Sequence, residues 1–272
     1  MTTAEKRSQE VKIRRGPKAE RPETQPAPWE REQWIDNGSL RDTAEKAVDR
    51  AADARPTRRR AEPELAPEVA DELAKATTAP ENARYHERLA SAAEALDRGR
   101  YADARRMVQP VLKHLPRLAF AHEISGLCWY GLGEWRKAVT ELELARGLDG
   151  TVNHHAVLAD CYRALKRYHV VDELWTELRA ASPAPALLAE GRIVAAGALS
   201  DQGDLAGALR TMAKALELPK RPKDYHLRQW YVVADLFDRS GDVIKARRYF
   251  ALIAEADPQF ADIAERLKTL GR

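Results

Sequence analysis

Residues 230–258 read WYVVADLFDRSGDVIKARRYFALIAEADP. Two amphipathic helices are written into that stretch, parted by a turn at Gly241-Asp242 and closed by Pro258. Trp230, Val233 and Phe237 recur at helical spacing before the turn, as do Ala246 and Phe250 after it. Ala234 stands seven residues before Gly241 and Ala246 five after. Antiparallel helices joined by so short a turn cross at such positions, and a large side chain there would hold their backbones apart.

Working outward, the same arrangement occurs four more times. The turns are Gly99-Arg100-Tyr101, Gly133-Glu134-Trp135, Lys166-Arg167-Tyr168, Gly203-Asp204-Leu205 and Gly241-Asp242-Val243, at intervals of 34, 33, 37 and 38 residues. Small residues keep step before the turn (Ala92, Gly126, Ala159, Ala196, Ala234) and after it (Ala104, Ala138, Val171, Ala208, Ala246). Bulky partners flank them, among them Trp129, Tyr162, Leu142, Trp175 and Met212, and Pro116, Gly150, Pro183 and Pro258 end four of the five units. The longer intervals place extra residues near Ala184 to Leu188 and Lys220 to His226, expected as loops between units. Pro110, inside the second helix of the first unit, is expected to bend it.

This pattern resembles the tetratricopeptide repeat family, W-x2-L-G-x2-Y followed by A-x3-F and P over about 34 residues. The fifth unit carries it most fully, in Trp230, Val233, Ala234, Phe237, Ala246, Phe250 and Pro258, and the likeness runs over roughly residues 80–270. It implies an all-α fold: a right-handed α-solenoid of about five helix-turn-helix repeats, with units near 85–118, 119–151, 152–188, 189–226 and 227–260. A capping helix over 260–270, with Phe260, Ile263, Ala264 and Leu267 on one face, is expected to cover the last apolar surface. The solenoid is expected over 79–272, opened by the capping-box spacing Thr78-Ala79-Pro80-Glu81, with an extra helix or linker at 63–78.

Residues 1–62 read differently. Charge and proline are dense and bulky aliphatics few, so a disordered tail is expected there. Its segment KRSQEVKIRRGPKAER, with Lys12, Arg14, Arg15 and Lys18, is a basic footprint suited to RNA or a ribosome. Trp29 and Trp34 lie in APWEREQWIDNGSLR, where two indoles in a charged context suggest a docking motif. Over the whole chain 45 Lys and Arg nearly balance 42 Asp and Glu, so any electrostatic function has to be local. The N-terminus is charged where a secretory leader needs an apolar stretch, and no run of about 18 apolar residues occurs, so the expected setting is the cytoplasm, without a membrane span.

No catalytic arrangement stands out. Neighbouring His154 and His155 point about 100° apart on a helix, Cys128 and Cys161 lack metal-ligand spacing, and GLCWYGLG (126–133) has helical rather than phosphate-loop periodicity. The sequence is therefore read as a non-enzymatic binding protein, with no cofactor and no metal. In the family it resembles, the first helix of each repeat lines a concave groove that receives a peptide. Transferred by register, the groove residues are Glu123, Leu127, Tyr130, Asn153, Asp160, Arg163, Glu190, Tyr231, Asp235 and Asp238. Members that clamp a C-terminal carboxylate carry Lys, Asn and Arg where this chain has Leu89, Ala93, Ile124, Asn153 and Val157, so that ligand is disfavoured. A protein segment mixing apolar and basic residues suits the groove better, with RNA or ribosome association through the tail as the alternative.

Overall fold

Five turns of the same construction set the fold. In each, the sixth residue donates its N–H back to the first: Arg100 to Ala95 (2.8 Å), Glu134 to Trp129 (2.9 Å), Arg167 to Tyr162 (2.8 Å), Asp204 to Leu199 (3.0 Å) and Asp242 to Phe237 (2.9 Å). The residue between them takes the left-handed conformation, as Gly99, Gly133, Gly203 and Gly241 do without strain and as Lys166 does at φ 58°. This is the Schellman closure, which satisfies the last carbonyls of one helix while reversing the chain. Asp204 and Asp242 then start the next helix, their carboxylates accepting the N–H of Gly207 (2.7 Å) and Lys245 (3.1 Å).

The computed structural model describes residues 65–271; the expectations for the basic and tryptophan segments of the tail fall outside the described residues. Twelve α-helices and no strands occur among the described residues. They are α1 (Pro67–Ala76), α2 (Ala79–Asp97), α3 (Tyr101–His114), α4 (Ala119–Gly131), α5 (Trp135–Asp149), α6 (His155–Ala164), α7 (Tyr168–Ala181), α8 (Pro185–Asp201), α9 (Leu205–Thr211), α10 (Asp224–Arg239), α11 (Val243–Ala256) and α12 (Ile263–Leu270). From α2 to α11 they pair as hairpins, and each hairpin packs on the next through its first helix. The all-helical repeat architecture read from the sequence is therefore the observed one.

The small residues lie where the paired helices meet. Ala92, Ala104, Ala138, Ala196, Ala208, Ala234 and Ala246 are all fully buried. At Gly126 a Cβ would stand 2.6 Å from Cγ of Leu142 and 3.2 Å from its backbone nitrogen, so α4 and α5 touch at van der Waals limits. Phe250, Leu142, Leu174 and Met212 fill the space beside the crossings, each burial worth about 1.5–3 kcal/mol. Cys128 and Cys161 are buried among them, and burial pushes the Cys128 thiol up to about 11.

Several local expectations need correction. Residues 185–188 form the first turn of α8, because Pro185 at the start of a helix has its φ already set and loses no bond. Likewise 224–226 belong to α10, where the His226 ring accepts the Lys223 N–H (2.9 Å). The irregular stretch is instead Glu217–Lys223, reached after α9 stops at Thr211 and gives way to a 3₁₀ turn at Ala213–Leu216. The last helix begins at Ile263 rather than 260, after a left-handed Ala261, although Phe260 is still buried against the final hairpin. Pro110 lies inside α3, Tyr101–His114, where the sequence placed it. At the other end α1 packs on α2, burying Leu73 beside Tyr85 and Leu89.

Two substitutions test this geometry by urea unfolding. Gly126→Ala is expected to destabilise by about 1–2 kcal/mol, the overpacking cost exceeding alanine's helix preference. Lys166→Gly is expected to raise stability by up to about 1 kcal/mol, since it relieves the left-handed strain.

Candidate functional site

The first helices α4, α6, α8 and α10, with Asn153 just ahead of α6, carry the residues that the sequence assigns to a groove. What the structure adds is a ladder of polar contacts running from each of these helices to the next. From α4 to α6, the Tyr130 hydroxyl donates to Asp160 (2.6 Å), and Glu123 lies 3.9 Å from His154, just ahead of α6. From α6 to α8, the Arg163 guanidinium forks onto both oxygens of Asp201 (2.6 and 3.2 Å) while also reaching Asp160 (3.4 Å). From α8 to α10, Glu190 pairs with Arg228 (3.0 Å), and Arg192 donates to Gln229. From α10 to the end, Arg266 of α12 binds Asp235 and approaches Asp238 (3.7 Å), while Tyr231 donates to Asp262 (2.7 Å).

These groups are shielded enough for the pairs to matter. Burial opposes the charge on Arg163, but the Asp201 fork and then Asp160 more than offset it and hold its pKa above the ordinary value. Gly197 makes the fork possible: a Cβ there would come within 3.0 Å of the guanidinium carbon. Burial pushes Glu123 and Asp235 upward, for Asp235 against the nearby Arg266 and Arg239. A parallel set of contacts braces the second helices, with Arg146 of α5 reaching Glu177 of α7 (2.6 Å) and Tyr162 donating to Glu143 (2.9 Å). His155 also bonds Glu177 (2.9 Å), and His122 clasps Glu141 (2.7 Å) and the Pro116 carbonyl (3.0 Å). The three histidines thus face different partners, and no group of three potential metal ligands converges among the described residues.

The assigned groove residues therefore divide. Leu127 and Tyr130 are half-buried on the face, Asn153 is exposed ahead of α6, and Glu123, Arg163, Glu190, Asp235 and Asp238 are partly exposed while bonded sideways. Asp160 is buried in the ladder. Tyr231 is a core residue rather than a groove residue, its ring packed against Phe250 (5.6 Å, edge-on) and Phe260 (6.3 Å). Sequence reasoning missed the ladder as such, although its signal was present: charges of opposite sign fall at corresponding places in successive units, as at Arg163 and Asp201.

Among solved structures the chain is similar to a thermophilic TPR protein from Thermus thermophilus, with TM-score 0.54 and 18% identity, over 68% of this chain and 98% of that one. That likeness concerns the fold, which is tetratricopeptide-repeat-like. No protein-family model matches the chain, and no curated protein matches it. No described helix is long and apolar enough to cross a membrane.

The two tyrosines should separate on unfolding in urea. Tyr231→Ala is expected to cost about 3–5 kcal/mol as a lost core aromatic, and Tyr231→Phe about 1 kcal/mol for the Asp262 bond. Tyr130→Ala, half-buried, is expected to cost less than about 2 kcal/mol.

Proposed function

We propose that this chain is a non-catalytic scaffold that holds an extended segment of a partner protein along its first-helix face. The observation that supports this most is the ladder itself. Ionisable groups on the face are engaged with one another across repeats instead of converging on a reactive centre, which gives a preorganised surface. Half-buried Ala93, Leu96, Leu127 and Tyr130 supply its apolar part, and Asn153 offers an exposed amide. Charge sets the preference: Glu123, Asp160, Glu190, Asp201, Asp235 and Asp238 outnumber Arg163, Arg228, Arg239 and Arg266. A segment that alternates apolar anchors with lysine or arginine complements such a face.

The second reading, an RNA- or ribosome-associated adaptor, rests on Lys12, Arg14, Arg15 and Lys18, with Trp29 and Trp34 as further tail contacts. Salt separates the two. Panning a random peptide display library on the full chain is expected to enrich segments mixing apolar and basic residues. Their binding should weaken by less than about tenfold between 50 and 200 mM salt, because the apolar anchors are not screened, and should fall about tenfold or more with Tyr130→Ala or Leu127→Glu. Enriched peptides indifferent to both substitutions would remove the face from the reading. Partner capture that a nuclease abolishes, with a steep loss of affinity in salt, would favour the adaptor.

A further inference from the structure

The second helix of the fourth repeat is the one that fails to run its length. Helix α9 covers only Leu205–Thr211, and the chain passes through the 3₁₀ turn Ala213–Leu216 into Glu217-Leu218-Pro219-Lys220-Arg221-Pro222-Lys223 before α10 begins. Two prolines bar helix here, and the residues before them favour extended backbone. Beyond the 3₁₀ turn, the N–H groups of Leu218, Lys220 and Arg221 make no backbone hydrogen bond. What anchors the segment is its start, where Met212 and Ala215 are buried against α10.

Its side chains are displayed rather than used. Leu216 and Leu218 are 37% and 43% exposed, which puts two of the large apolar residues on the described surface within three positions. Lys214, Lys220, Arg221 and Lys223 are exposed as well, and none of the four makes an ion pair among the described residues. Glu217 is the one carboxylate of the stretch, and its field acts on Arg192 of α8, favouring that guanidinium's charge against burial. Four cations thus stand around two leucines on a strap that leaves a 3₁₀ turn and bends at Lys220-Arg221, with free backbone donors beyond the turn. No ladder residue belongs to it.

We propose that the strap Lys214–Lys223 is a second docking surface, which takes an extended acidic segment of a partner protein carrying apolar side chains between its carboxylates. Charge complementarity selects the acidic partner, and the leucines select a polypeptide. Single-stranded nucleic acid would need aromatic platforms for its bases, and the strap has none. A lipid surface is favoured by a longer basic run or an amphipathic helix, and the prolines forbid the helix here. An extended peptide can instead pair its carbonyls with the unbonded N–H groups, its carboxylates with Lys220, Arg221 and Lys223, and its apolar residues with Leu216 and Leu218. The preference is opposite in sign to that of the first-helix face, so one partner with segments of both kinds would be held at two points and gain avidity.

The test uses the full chain and three probes: a labelled nine-residue peptide alternating leucine and glutamate, a twenty-nucleotide thymidine strand, and vesicles containing phosphatidylserine. The peptide is expected to bind in the micromolar range. Lys220→Glu with Arg221→Glu should weaken it about tenfold or more, and Leu216→Ser with Leu218→Ser should do so independently. Tyr130→Ala and Leu127→Glu should leave it unchanged, which separates this surface from the first-helix face. All these positions are at least partly exposed, and circular dichroism should show each variant folded. Absence of peptide binding up to about 1 mM overturns the proposal, as does binding unaffected by both strap variants. Strap substitutions that abolish strand or vesicle binding while sparing the peptide overturn it too.

Discussion

From α4 onward each first helix is bonded to the next, and the last of them to α12, by buried or half-buried polar groups, and the alignment of those repeats depends on that lateral pairing. A single helix hairpin exposes an apolar flank on either side and cannot bury both alone, so stability in such an array is the sum of hairpin and interface terms. Apolar packing supplies most of the attraction, but it is non-directional. The Arg163–Asp201 fork, the Glu190–Arg228 pair and the Arg266–Asp235 pair carry direction, since each is satisfied in only one alignment of neighbouring helices. They fix how far one hairpin is turned and slid against the next, and with that the shape of the first-helix face.

The hairpins themselves were legible in the sequence because their determinants are local. A glycine in the left-handed conformation, a small residue at a crossing and an amphipathic stripe each leave a mark within about ten residues, and five copies in phase removed the ambiguity of any one. Lys166 shows the limit of a single mark: it stands in the glycine's place and adopts the same conformation. Boundaries were less legible where proline works in two senses. Pro185 opens a helix that the spacing assigned to a loop, while Pro219 and Pro222 hold open a segment that interrupts one.

What the sequence showed of the candidate site was which helices carry its residues, not which neighbours those residues meet. Register placed Asp160, Arg163, Glu190, Asp235 and Asp238 on the first helices of their repeats, where they lie, but a charge on a helix face reads the same whether it awaits a ligand or meets a neighbour 30 to 38 residues away. Tyr231 illustrates the same gap. Its position in the unit is a groove position, yet Phe250 and Phe260 close over it and Asp262 takes its hydroxyl, so the aromatic becomes part of the terminal core. The distinction depends on the residue arriving from the next hairpin, which no single unit contains.

If lateral pairing is what aligns the repeats, its energy should be measurable at the best-formed rung. The direct measurement is a double-mutant cycle on Arg163→Ala and Asp201→Ala in the full chain, read as free energies of urea unfolding. Burial on both sides of the fork predicts a coupling of about 1–2 kcal/mol, with each single substitution costing more than the pair's removal from an exposed surface would. A coupling within about 0.3 kcal/mol of zero would mean that the two side chains contribute independently, and that apolar packing alone aligns the repeats.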